Sequence, residues 1–247
     1  PDFFAIHPVE ADAAEEDILL LDHAFTTQAP EATLHVPTYA AWLEAQDLSP
    51  SYRFLERCLK LLLWQRPGAF WVLKTPHHME FLHELLAVFP DATIVQTHRD
   101  PQATMGSFCS MVAHGRGIFS DKVDPREVGR HWLAKVRRML DRASAVRDAG
   151  NAARFIDVSY YDLLKDPLAQ IRRIYAHAGL LLSAEAQQAM TQPGKMARFL
   201  GKATSPGTLL SLGDDIVEGL TALRRPGQRA AVEAAVEGGN AGCDRRI

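Results

Sequence analysis

Apolar positions along the chain follow two rhythms. Up to about residue 66 they recur at helical spacing. Ile18, Leu19, Leu20 and Leu21 follow the acidic run Glu15-Glu16-Asp17, which suits a helix N-terminus. A second helical stretch surrounds Tyr39 to Ala45. A third runs from about Tyr52 to Trp64, with Phe54, Leu55, Cys58, Leu61 and Leu62 predicted on one face. Beyond Pro67-Gly68 short apolar runs alternate with helical segments. Phe70 to Leu73 reads as a buried strand ending at Lys74-Thr75-Pro76. Phe81, Leu82, Leu85, Leu86 and Phe89 then give a helix stopped by Pro90. Ala92 to Val95 is a second strand, ending at Thr97-His98-Arg99. Asp100-Pro101 opens another helix, with Asp as cap and Pro at the first helical position. A long helix is predicted from Pro125 to Ala149, a third strand over Arg154 to Val158 and a helix over Pro167 to Gly179.

Strands alternating with helices predict an α/β fold: a parallel sheet with right-handed crossovers and helices on both faces, preceded by a helical N-terminal segment. The expected organisation is one domain over 1–200. It divides into a helical segment 1–66, an α/β core 67–182 and a C-terminal helix 183–200. The Ala-, Gly- and Arg-rich tail 201–247 is poorly specified.

Composition narrows the class. The chain has 247 residues, 47% hydrophobic and 23% charged, as an ordinary globular protein does. No apolar run approaches the ~18 residues of a membrane span. Cys58, Cys109 and Cys243 are odd in number and far apart, which argues against a disulfide framework and fits a reducing, cytoplasmic setting. No basic segment followed by an apolar stretch marks a secretory signal. A net charge of −3 excludes a generally basic nucleic-acid binder. The distribution is uneven: residues 1–50 hold ten acids and no Lys or Arg, while 126–154 hold eight basic and three acidic residues. The basic segment reads either as a solvated helix face or as a positive field for a small anion.

In open α/β sheets ligands bind outside the carboxyl ends of the strands. Those ends present Lys74 with His77 and His78, then His98 with Arg99, then Ser159, Tyr160 and Tyr161. Two consecutive strand-to-helix turns thus set a cation beside a helix N-terminus. That suits a ligand with more than one phosphate-like group. The alternative is that Lys74 and Arg99 pair with nearby acids such as Asp100. Ser107, eight residues after Arg99, can donate to a phosphate oxygen or bond the backbone. His77, His78 and His83 lack HExxH spacing and a completing ligand, so no metal is expected. A histidine at a strand end suits a general base. GxSxG, GxGxxG after a strand and GxxxxGK[ST] are all absent.

The stretches Trp71-Val72-Leu73-Lys74-Thr75-Pro76-His77-His78, Phe89-Pro90-Asp91 through His98-Arg99-Asp100-Pro101, Ser107, and Asp157-Val158-Ser159-Tyr160-Tyr161 through Lys165-Asp166-Pro167 together resemble the bacterial sulfotransferase family. Trp132 and Trp64-Gln65-Arg66-Pro67-Gly68 also fit, and the likeness covers roughly residues 1 to 200. It implies a P-loop-like fold and sulfuryl transfer from 3′-phosphoadenosine 5′-phosphosulfate (PAPS) to a hydroxyl or amine of a small-molecule acceptor, without a metal. By the same resemblance Arg99 and Ser107 bind the 3′-phosphate and Tyr160 contacts the nucleotide. Lys74 faces the transferred group, and His78, or its neighbour His77, takes the acceptor's proton. Lys202 is a faint match to a phosphate-binding loop. His114, Arg116 and Phe119, in an expected loop around Gly115 and Gly117, are candidates to line the acceptor pocket. No sequence like the family's R-x-G-T-T loop occurs, so the resemblance implies a sheet without its central strand and a donor site without its 5′ half. Two other readings are an inactive nucleotide-binding or interaction module derived from this fold, and a nucleotide kinase, which needs a P-loop lysine and Mg²⁺ ligands.

Overall fold

The computed structural model describes residues 15–68, 70–191 and the backbone of 231–234. Helices α1 (Ile18–Asp22), α2 (Ala29–Thr33), α3 (Pro37–Glu44) and α4 (Ser49–Gln65) precede strand β1 (Val72–Lys74) and a 3₁₀ turn over Pro76–Glu80. Then follow α5 (Leu82–Val88), β2 (Thr93–His98), α6 (Pro101–Phe119), α7 (Pro125–Val146), β3 (Phe155–Ser159), α8 (Tyr160–Lys165), α9 (Pro167–His177) and α10 (Ala184–Met190). The last strand, β4, spans Ala231–Ala234. No described helix is long and apolar enough to cross a membrane.

An Asp-Pro pair starts three of the helices. Asp100, Asp124 and Asp166 each accept a backbone N–H of the first turn, from Ala103 at 2.8 Å, Arg126 at 2.9 Å and Ala169 at 3.0 Å. Each following proline occupies a position whose missing N–H costs nothing.

The four strands run parallel in the order β1-β4-β2-β3. Ile94 faces Phe155 and His98 faces Ser159 across β2 and β3, so the carboxyl ends of these strands finish level. The resemblance implies a sheet without its central strand, whereas here β4 fills the place between β1 and β2. The facing edges of β1 and β2 offer unpaired N–H and C=O groups that such a strand satisfies.

The main core lies between the N-terminal helices, the sheet and α7, and includes Leu21, Tyr52, Leu55, Leu73, Phe81 and Met139. A second cluster joins α6 to α7 through Phe108 and Trp132, whose rings meet edge-on at 4.7 Å. The buried face of α4 is Tyr52, Leu55 and Leu59, at helical spacing one step round from the predicted one, and Leu61 is 56% exposed. The expected loop around Gly115 and Gly117 is helical, being the last turns of α6. Helix α7 stops at Val146. A wide π turn over Arg147–Asn151 follows, in which Gly150 takes φ +93°.

The acidic N-terminal region and the basic helix answer each other inside the molecule. Lys135 of α7, 1% exposed, lies 2.9 Å from Glu31 Oε1, 3.2 Å from Glu80 Oε2 and 3.3 Å from Glu44 Oε1. Arg138 Nε donates to Glu80 Oε1 at 2.8 Å, and Gln28 Nε2 donates to Glu80 Oε2 at 2.8 Å. Part of the basic segment is thus neither a solvated face nor a free positive field. It fastens α2, α3 and the 3₁₀ turn to α7.

Candidate active site at the carboxyl edge of the sheet

Strand β1 delivers Lys74 to the sheet's carboxyl edge. The chain then turns into the 3₁₀ segment, where the Thr75 hydroxyl accepts the His77 N–H at 3.3 Å. This segment buries both histidines completely. The Lys74 ammonium lies 2.6 Å from Glu16 Oε1. Its backbone N–H donates to Asp17 Oδ1 at 2.9 Å. Asp17 Oδ2 lies 2.8 Å from His78 Nε2, off the N–H direction, so that contact is mainly electrostatic. A carboxylate beside Nε2 favours the tautomer with hydrogen there, in which Nδ1 accepts from the Tyr52 hydroxyl at 3.0 Å. Burial, with the Asp17 charge behind it, pushes the Tyr52 hydroxyl well above the usual phenol range, so it stays a donor. His77 packs against Phe81, its two nitrogens without hydrogen-bond partners among the described residues. Burial first, then the charges of His78 and Lys135, holds its pKa well below the ordinary value, so it is neutral.

Glu16, Asp17 and Tyr52 are the members of this cluster that sequence reasoning missed. The acidic run was legible as a helix start, yet Asp17 makes no side-chain cap of α1. Its carboxylate and that of Glu16 are spent on Lys74 and His78 instead.

At the next strand end Arg99 does not pair with Asp100, which caps its own helix. Its guanidinium lies over the Tyr160 ring, 4.5 Å from the centroid. Arg99 NH1 is buried and has no hydrogen-bond partner among the described residues. Tyr160 opens α8 directly after β3, where the Ser159 hydroxyl accepts the Asp162 N–H at 3.3 Å. Ser107 is half-buried two turns along α6, and its hydroxyl makes no hydrogen bond among the described residues. His98 points elsewhere: Nε2 lies 2.7 Å from Asp157 Oδ1, and Arg147 brackets the same carboxylate at 2.8 and 2.5 Å. The Arg147 hydrogen bonds, helped by His98 and opposed by partial burial, hold the Asp157 pKa down to about 2. Lys202 lies outside the described residues.

Arg116 and Phe119 do line one hollow, with Leu34, His35, Val123 and Glu127; it measures about 310 Å³ and is open to solvent. His114 is exposed on α6 and not part of it. Arg116 is tied down there, donating to Glu127 Oε2 at 2.9 Å and to the Glu31 carbonyl at 2.7 Å, while its buried Nε has no partner among the described residues.

A parallel sheet with a lysine at the end of β1 and a stacked arginine–tyrosine pair at the ends of β2 and β3 defines an α/β protein whose carboxyl edge, where open sheets of this class take their ligands, carries cationic side chains. The chain belongs to the Sulfotransferase family, whose sequence profile matches residues 1–184. Among solved structures it is similar to sulfotransferase STF1 from Mycobacterium tuberculosis H37Rv, with a TM-score of 0.69, 37% identity and coverage of 85% of this chain and 55% of that one. Sulfotransferase STF9 from Mycobacterium avium gives a TM-score of 0.68 and 30% identity over 77% of this chain and 47% of that one. A curated relative is the omega-hydroxy-beta-dihydromenaquinone-9 sulfotransferase Stf3 of Mycobacterium bovis, 29% identical over 155 residues. That match takes in 58% of this chain and 38% of the relative, so the chain spans well under half of the curated protein it resembles.

Proposed function

We propose that the protein transfers a sulfuryl group from PAPS to a hydroxyl group of a small molecule. The observation that carries this reading is the Arg99–Tyr160 stack with its buried, unpartnered guanidinium N–H. A planar guanidinium suits a phosphate because it offers parallel donors in a fixed fork. An aromatic ring beneath it holds that fork in one orientation. Ser107 supplies a hydroxyl donor from the same helix that Asp100 begins. These residues fit the 3′-phosphate end of the donor nucleotide. Bound PAPS would supply an activated sulfuryl group, and Lys74 would meet the negative charge on its oxygens. The hydroxyl acceptor follows from likeness to Stf3, whose name gives a hydroxylated dihydromenaquinone as its acceptor. Amine acceptors remain the comparison class.

Calorimetric titration with adenosine 3′,5′-bisphosphate, with AMP as control, tests the donor site. The expected result is preference for the bisphosphate, lost in Arg99→Ala and in Ser107→Ala. Equal affinity for the two nucleotides overturns the PAPS reading.

A further inference from the structure

A base that deprotonates the acceptor must come within hydrogen-bond reach of it. Around Lys74 the structure sorts the candidates by access. Asp17, Tyr52, His77 and His78 have no exposed surface at all. His78 Nδ1 is also bonded to the Tyr52 hydroxyl, and its Nε2 faces the buried Asp17 carboxylate rather than open space. His77 has free nitrogens but lies sealed beside Phe81. Two side chains of the cluster keep some surface: Lys74 at 11% and Glu16 at 7%. Glu16 Oε1 holds the ammonium at 2.6 Å, while Oε2 takes no hydrogen bond among the described residues. One carboxylate therefore grips the cation with one oxygen and has the other unbonded among the described residues.

We propose that Glu16, rather than either histidine, is the catalytic base, its Oε2 removing the proton of the acceptor hydroxyl beside Lys74. This rests on the sulfotransferase reading. In the step, the acceptor oxygen forms a bond to sulfur while the bond from sulfur to the 5′-phosphate oxygen breaks. The electron pair of that bond leaves with adenosine 3′,5′-bisphosphate, and the acceptor's proton goes to Glu16. Lys74, next to the same carboxylate, faces the sulfuryl oxygens as charge moves onto the leaving group. Asp17, Tyr52 and His78 form the buried frame that sets the Lys74 backbone.

The test compares two acceptors with radiolabelled PAPS as donor: 1-hexanol, which needs a base, and 4-nitrophenol at a pH where it is already ionised. In Glu16→Gln, transfer to hexanol is expected to fall by about 10²–10⁴-fold, the usual span of general-base catalysis. Transfer to the nitrophenolate stays within a few-fold, and bisphosphate affinity is unchanged. Glu16→Asp is expected to restore part of the hexanol rate, and carries the comparison if Glu16→Gln does not fold. Equal loss on both acceptors overturns the proposal, since it means that Glu16 serves only to aim Lys74. So does a hexanol rate that survives the substitution, or a wild-type chain that binds the bisphosphate yet transfers to neither acceptor. A wild-type chain that does not prefer the bisphosphate to AMP overturns the sulfotransferase reading itself.

Discussion

Asp17 holds Lys74 and His78 at once: Oδ1 takes the Lys74 backbone N–H at 2.9 Å, and Oδ2 lies 2.8 Å from His78 Nε2. One buried carboxylate thereby ties α1 to both sides of the turn that follows β1. Replacing it strands one buried donor, the Lys74 N–H, which costs about 1–3 kcal/mol, and removes the charge beside His78 Nε2. Asp17→Ala is therefore expected to lower the unfolding free energy by about 1–3 kcal/mol. Urea unfolding followed by circular dichroism measures this; a loss below half a unit would show the contacts to be incidental.

The Lys135 web gives a pH signature. Burial alone pushes Glu31 up, but the His131 hydrogen bond and the Lys135 charge outweigh it and the net direction is down. A lowered carboxyl contributes stability above its unfolded value, near 4.3, and loses it as pH falls through the folded value. Burial likewise pushes Lys135 down, and the charges of Glu80 and Glu31 more than reverse this. A raised ammonium stabilises the fold below its unfolded value, near 10.4, and that contribution is lost as pH rises through the folded value. Lys135→Met removes the central cation and leaves Glu31 to His131 and Glu80 to Arg138, so it is expected to cost at most about 3–5 kcal/mol at neutral pH. Its deficit shrinks as the carboxylates protonate in acid. Urea midpoints of both proteins at pH 7 and pH 4 check the convergence.

The more exposed Asp157 pair behaves differently. Its pKa of about 2 follows from the Arg147 fork, with a further hydrogen bond from His98. The stability it lends is present above the unfolded value near 3.9 and is lost as pH falls toward about 2. Both side chains keep solvent contact, so the loss in Arg147→Ala is expected to stay at or below about 1 kcal/mol. A carboxyl NMR titration is expected to show Asp157 moving up toward 3.9 in that variant.

Local signals made the scaffold legible. The Asp-Pro starts at Asp100, Asp124 and Asp166 mark helices that are present, and the apolar runs before Lys74, His98 and Ser159 are strands. These signals lie within a few residues of what they specify. The site is long-range. Glu16 meets Lys74 across 58 positions of sequence, and Glu31 meets His131 across 100. No spacing rule reports such pairings, so the acidic run reads as a helix start and the basic helix as a surface. The extra turns of α6 hid for another reason. Gly115 and Gly117 are weak helix formers that suggest a loop, but burial of Arg116 against Glu31 and Glu127 outweighs their cost.

Gly150 offers a conformational control. Its φ of +93° is one that an L side chain rarely adopts, and a Cβ there would meet nothing within 4 Å. Gly150→Ala is thus expected to cost about 1 kcal/mol or slightly more through backbone strain alone. Gly106, in the interior of α6, also has open space around it. There Ala is expected to stabilise by about 0.5–1 kcal/mol. Thermal melts of the two variants should move in opposite directions.

The Arg99–Tyr160 stack separates charge from shape in donor binding. Lysine keeps the positive charge of Arg99 but loses the planar fork and its seat on the ring. Arg99→Lys is therefore expected to weaken adenosine 3′,5′-bisphosphate about tenfold, equivalent to about 1.4 kcal/mol, while leaving AMP affinity close to wild type. Tyr160→Phe keeps the ring face, 4.5 Å beneath the guanidinium carbon. It should bind the bisphosphate within about threefold of wild type if stacking is what the residue contributes. Tyr160→Leu removes the face and should approach the Arg99→Lys loss. If Phe and Leu weaken binding equally, the phenol hydroxyl is the contributing group and the arginine needs no ring to hold it. If Arg99→Lys binds as well as wild type, the site reads charge alone.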